Sequence, residues 1–198
     1  MTEPLDQELR ALVRSRRVKD RLQAVAQLRG VDGSHAIPAL IGLLYDGRSN
    51  VADAAADALR GGFGSAGRTA MMRVLHEDHE WARLAVARSL AADGDPVAMP
   101  VLDEALRGPD LDQWGPALER LVRFGADARP LIERELMDRN GPPMMREMCA
   151  PALVEVSGDD ARPLLEEVAR SAPHVVRVAA LRSLRTLDER AARGAGGS

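Results

Sequence analysis

The sequence predicts an all-α protein built as an array of about six helical hairpins, and three observations carry that prediction. First, a Pro-led apolar helix recurs: Pro38, Thr69, Pro100, Pro130 and Pro163 are equivalent, and subtracting neighbours gives spacings of 31, 31, 30 and 33. A period of roughly 31 residues is the mark of stacked helical units. Second, each unit closes on a leucine four residues after a mostly small residue. Third, no segment shows the apolar alternation of a strand.

The units, taken in order, span about 4–32, 34–64, 65–94, 95–125, 126–158 and 159–188. In the first helix of units two to six, the residues two after the Pro-like position are Leu40, Met71, Leu102, Ile132 and Leu165. Those six after it are Leu44, Leu75, Leu106, Leu136 and Ala169. Offsets of two and six share a helical face, so both sets are expected to be buried. Proline is tolerated there as a first-turn residue, whose missing N–H has no intrahelical use. The second helices are anchored by Leu28, Leu59, Leu90, Leu121, Leu153 and Leu184, preceded at minus four by Ala24, Ala55, Val86, Ala117, Cys149 and Ala180. Small residues in that column let neighbouring helices approach closely. Asp, Gly and Ser clusters such as Asp32-Gly33-Ser34 and Gly158-Asp159-Asp160 supply the stops and N-caps. The first unit lacks the Pro signature, and its Leu5, Leu9, Leu12 and Val13 suggest a capping helix. The last residues, 193–198, are expected to form a disordered tail.

Seven residues before the anchors stand Arg21, Arg83, Arg146 and Arg177, which gives Val176-Arg177-x-Ala179-Ala180-x-x-x-Leu184 in the last unit. At these positions the chain resembles the HEAT-like repeats of the phycobilisome-lyase type. That resemblance implies a right-handed α-α superhelix, and it implies that the four arginines form a structural ladder between adjacent units. Ala52 and Trp114 replace the arginine in units two and four, where the ladder is expected to break.

Composition narrows the function. The net charge of -3 and the sequence pI near 5.8 argue against nucleic acid as the main partner. Arginine carries nearly all the positive charge, Lys19 being the only lysine, and with abundant Ala, Gly and Asp this suggests a high-GC bacterial source. One cysteine, Cys149, forms no internal disulfide, and no stretch is long enough to cross a bilayer. A cytoplasmic protein without membrane attachment is the expectation.

Helical geometry places the minus nine, minus six, minus two and plus one positions opposite the buried stripe of each second helix. On that reading Trp81, Leu84, Val122, Met144 and Val154 form a concave apolar stripe, edged by Arg88, Glu119 and Glu147, that binds a protein segment; with the register one position off, the same residues pack against the outer helices instead. Pro151 is expected to kink the fifth unit beside Met144, Met145 and Met148. Gly62-x-Gly64-x-x-Gly67 spells a dinucleotide fingerprint but follows a helix rather than a strand, so it reads as a flexible turn between units. His76-Glu77-Asp78-His79-Glu80 is the one cluster with metal-ligand residues, and adjacent turn residues rarely converge on one ion. Cys149 reads as core packing.

No cofactor and no enzymatic chemistry are expected. The function expected is a non-enzymatic scaffold or adaptor. The alternatives are a HEAT-like-fold enzyme, either a chromophore lyase or a relative of the DNA glycosylases, and a self-associating structural protein. The glycosylase reading draws on Trp81, Arg88, Asp112 and Trp114. Against it stand Asp57 and Glu119, interleaved with Arg88 and Arg182, which cancel much of the phosphate attraction.

Overall fold

A computed structural model describes residues 5–195. Among them there are twelve α-helices and no strand. The chain divides after residue 101 into two compact units. The N-terminal unit holds α1 (Gln7–Val13), α2 (Val18–Leu28), α3 (Gly33–Leu44), α4 (Ser49–Gly62), α5 (Gly64–Leu75) and α6 (Glu80–Ala91). Helix α7 (Met99–Arg107) begins at its end. The C-terminal unit continues with α8 (Leu111–Val122), α9 (Arg129–Met137), α10 (Pro143–Ser157), α11 (Arg162–Ser171) and α12 (His174–Ala195). The expected tail is therefore helical at 193–195, where the Arg193 Nε bonds the Glu189 carbonyl at 3.1 Å, and 196–198 lie outside the described residues.

Within the N-terminal unit α1 packs on α2, α3 on α4 and α5 on α6. The second helices then stack as α2 on α4 on α6, and first helix α3 meets α5. Two layers result, one of first helices and one of second helices. In the C-terminal unit α9 pairs with α10 and α11 with α12, while α8, α10 and α12 stack in order.

The repeat positions explain this packing. Leu28, Leu59, Leu90, Leu121 and Leu153 are buried, as are Leu40, Met71, Leu102, Ile132 and Leu165 of the first helices. Every member of the small-residue column, from Ala24 to Ala180, is fully enclosed. Truncating one of the buried leucines to Ala costs about 2–5 kcal/mol, because the cavity it leaves only partly collapses. Leu184 and Ala169 are half-buried, so the spine thins in the last hairpin.

Units four to six open their first helices with a short 3-10 turn, at Pro96–Ala98, Gly125–Ala128 and Gly158–Ala161. Units two and three instead absorb those residues into α3 and α5. This places Pro38 in the second turn of α3 rather than the first, because the Asp32 carboxylate caps the Ser34 N–H at 2.9 Å and starts the helix earlier. Gly64, Gly125 and Gly158 each lie five residues before their Pro-like position with φ of 50, 56 and 54°, a left-handed turn that glycine adopts without steric cost.

One position escaped the sequence analysis. Two residues before the Pro-like site stand Ala36, Gly67, Ala98, Ala128 and Ala161, all buried. A Cβ on Gly67 would lie 2.1 Å from the Leu59 carbonyl oxygen. Gly67 is thus the closest approach of α5 to α4, not part of a flexible turn. Pro151 sits within α10, which runs unbroken from Pro143 to Ser157, with the ring exposed to solvent.

Candidate interaction surfaces

The stripe expected on the second helices does not form as drawn. In the N-terminal unit Trp81 is 44% exposed, but Leu84 is 2% exposed and Arg88 is buried. Helix α6 is enclosed from Ala82 to Ala91 except at Arg83. Its alanines let neighbours close on almost every side, so the face assumed to be open is a packing face. Arg88 is tolerated there because its Nη2 and Nε both donate to Asp53 Oδ1 of α4, at 2.6 and 3.1 Å. Beside that pair the Ser89 hydroxyl donates to Asp57 at 2.7 Å, and Arg60 Nη1 reaches Asp93 at 2.7 Å. The polar columns of α4 and α6 are spent on each other. In the C-terminal unit Met144 is 46% exposed and Glu119 is exposed, Val122 and Glu147 are half-buried, and Val154 is buried where α10 packs on its neighbours.

The arginines at minus seven act differently from one another. Arg21 Nη1 donates to the Ser15 carbonyl just past α1 at 2.8 Å, and its Nη2 donates to Asp46 after α3 at 3.0 Å, which joins two hairpins. Arg146 is buried and donates from Nε to the Leu136 carbonyl near the end of α9 at 2.9 Å. Both place a cation where a helix C-terminus leaves carbonyls unpaired. Arg83 is half-buried, and Arg177 is exposed. The break expected at Trp114 does not occur: the buried indole N–H donates to the Gly108 carbonyl just past α7 at 3.0 Å. What this position supplies is a donor aimed at the end of the first helix, and tryptophan serves.

Two surfaces emerge that spacing alone did not show. The first is an aromatic corner in the N-terminal unit. Tyr45, which ends α3, donates its hydroxyl to Glu77, and its ring meets His79 edge-on at 4.9 Å between centroids. The carboxylate beside it pushes the Tyr45 pKa up to about 12. His79 caps α6, its Nδ1 accepting the Ala82 N–H at 3.2 Å. That ring nitrogen is occupied, and among the described residues no group of three or more His, Cys, Asp or Glu is disposed to hold a metal. Trp81 stands two residues beyond His79.

The second surface lies in the C-terminal unit. Among the described residues five large hydrophobic side chains are exposed: Trp81, Leu111, Met144, Val175 and Leu181. Four of them occupy the first or second residue of a second helix, in α6, α8, α10 and α12. Leu111, Met144 and Val175 therefore all lie at the starts of three successive second helices, Leu111 one position earlier in the register than the other two. The sequence signal was available, since Leu111, Met144 and Val175 stand ten, nine and nine residues before their anchors. Cys149 is enclosed in α10, and burial pushes its thiol up to about 12, away from nucleophilic use.

Helical hairpins in series, with leucine anchors inside and, in three of them, a donor (Arg21, Trp114 or Arg146) reaching back to the end of the first helix, define the fold. It is a HEAT-like helical repeat. No family model matches the chain, and no curated protein matches it. Solved structures do. The complex of CpcE and CpcF of phycocyanin lyase from Nostoc is 24% identical over 93% of this chain and 78% of that chain, with a TM-score of 0.48. An engineered protein is 17% identical over 93% and 98%, with a TM-score of 0.41. Human deoxyhypusine hydroxylase in complex with glycerol is 17% identical over 92% and 96%, with a TM-score of 0.37. These likenesses transfer no residue role. They do correct one expectation: two of the three are enzymes, so the HEAT-like repeat gives no ground for reading the chain as non-enzymatic, and that reading is withdrawn. No helix among the described residues is long and apolar enough to cross a membrane.

Proposed function

We propose that this chain binds a protein segment through the exposed starts of its second helices. The observation that carries the reading is the exposure of Leu111, Met144 and Val175 at the starts of three successive second helices of the C-terminal unit; Trp81, at the start of α6, is a separate exposed anchor of the N-terminal unit. Apolar side chains left in water at the starts of second helices, where the rest of the repeat buries its hydrophobes, gain from being covered, and tryptophan and methionine are adaptable anchors. Glu119 and Glu147 of the proposed stripe stay with this reading as polar neighbours, and Leu84 and Arg88 leave it as buried residues. The test is capture of partners from the source organism by the immobilised chain, repeated with Trp81→Ala and Met144→Ser. Loss of the same partner from either variant while the circular dichroism is unchanged supports the reading. Retention of every partner by both folded variants overturns it.

A second reading is catalysis on the bound partner, favoured by the Tyr45–Glu77–His79 corner next to Trp81. There a phenol hydroxyl is held against a carboxylate and its ring against an imidazole, groups of the kind that pass protons. A lyase activity of the kind named for the Nostoc complex is tested by incubating the chain with phycocyanin and following chromophore absorbance, with Tyr45→Phe as the control. A spectral change lost in that variant supports catalysis, and no change with the wild type excludes this substrate.

A further inference from the structure

We infer that the outward face of α12 is a second docking surface, and that its occupant is an acidic amphipathic helix of a partner protein. Helix α12 buries Val176, Ala179, Ala180, Ser183 and Leu187 against α10 and α11. At 100° per residue the opposite side presents Val178, Leu181 and Arg185, with Arg177 along one edge and Arg182 along the other. Leu181 is 53% exposed, and all three arginines are exposed. None of the three guanidinium groups has a hydrogen bond or ion pair among the described residues. Glu147 of α10 holds the register relative to Arg182 that Asp53 holds relative to Arg88, 35 residues earlier in both cases, yet it makes no such pair.

Between His174 and Leu187 the charge on this face has one sign, and Glu189, a turn further along, brings an acid to the same side. From His174 to Leu187 the helix carries three arginines and no acidic residue, in a chain whose net charge is -3. The first acid that follows, Asp188, is already bound by Arg162 at 2.8 Å. A short apolar patch of Val178 and Leu181, edged by Arg177 and Arg182 and followed by Arg185, is the complement of a helix with a leucine face and glutamates beside it. A second copy of the same face is disfavoured, because a two-fold contact would set arginine against arginine. A phosphate backbone satisfies the arginines and leaves Leu181 and Val178 uncovered.

The test uses a fluorescein-labelled synthetic helix of about 15 residues, with leucines on one face and glutamates flanking them, and a scrambled peptide of the same composition. Anisotropy titration of the whole chain is expected to show saturable binding of the patterned peptide only. Leu181→Asp and the double variant Arg182→Glu/Arg185→Glu are each expected to weaken it by at least about tenfold, with helicity unchanged. The double variant is expected to bind a peptide carrying lysine in place of glutamate. Trp81→Ala and Met144→Ser leave this binding intact, so it fails or stands independently of the surface proposed above. Equal binding of the scrambled peptide, undiminished binding by Leu181→Asp, preference for a DNA duplex, or a wild-type dimer that Leu181→Asp converts to monomer would each overturn the inference.

Discussion

Helices α6 and α12 hold the same place in the repeat, and they treat the same charge in opposite ways. Arg88 and Arg182 both stand two residues before their anchor leucine. Arg88 is enclosed and doubly bonded to Asp53, whereas Arg182 is in solvent and makes no such pair with Glu147. In the N-terminal unit the seam between α4 and α6 is polar and closed, with Ser89, Asp57, Arg60 and Asp93 joining in. In the C-terminal unit α10 brings Met145, Cys149 and Leu153 to the buried side, and α12 brings Val176 and Ala180. A repeat position thus fixes where a side chain starts, while the neighbouring helix decides whether it ends as a structural strut or as free surface.

Three measurements sharpen that contrast. The largest effect is expected at Gly67, where Ala stands at the equivalent position of four other hairpins and is fully enclosed in each. Only at Gly67 does the Leu59 carbonyl block a Cβ, so Gly67→Ala is expected to cost about 3 kcal/mol in urea unfolding. A neutral result would show that α4 and α5 can separate freely. Next, Arg88→Ala is expected to cost about 2 kcal/mol, moderated because the Asp53 side chain is partly open to water, against less than about 0.5 kcal/mol for Arg182→Ala. Equal costs at the two sites would erase the distinction between strut and surface.

The smallest effect is a pH dependence in the N-terminal unit. Hydrogen bonding from the Arg68 guanidinium holds the Asp95 carboxyl below its usual range, with the Val97 N–H adding to this. Because the folded value is the lower one, the stabilisation is present above the ordinary carboxylate value of about 3.9 and is lost as pH falls through the folded value. Unfolding midpoints measured down to about pH 2.5 are expected to show this acid limb, and Arg68→Gln to flatten it. Arg68 is more than half exposed, so the amplitude is small.

The fold was legible because its signals are local. Leucines at offsets of two and six and a small residue four before each anchor need only helical geometry to be read, and they are buried where expected. The stripe was less legible because exposure on a second helix is set by residues one repeat away. Leu84 and Arg88 look surface-bound until Asp53, 35 residues earlier, and the alanines of α6 are considered together. The Tyr45–Glu77 bond spans 32 residues and has no motif to announce it. Trp81 and Met144 were found correctly as exposed, since the start of a helix has fewer neighbours than its middle. Leu111 lay one position off the column being followed.

The indole of Trp114 shows what the array selects at its recurring arginine site. Gly108 needs a proton to accept, and a neutral ring delivers it as Arg21 and Arg146 do for Ser15 and Leu136. At these three hairpins the residue changes and the bond to the end of the first helix stays, so one hydrogen-bonding task is met by two different side chains.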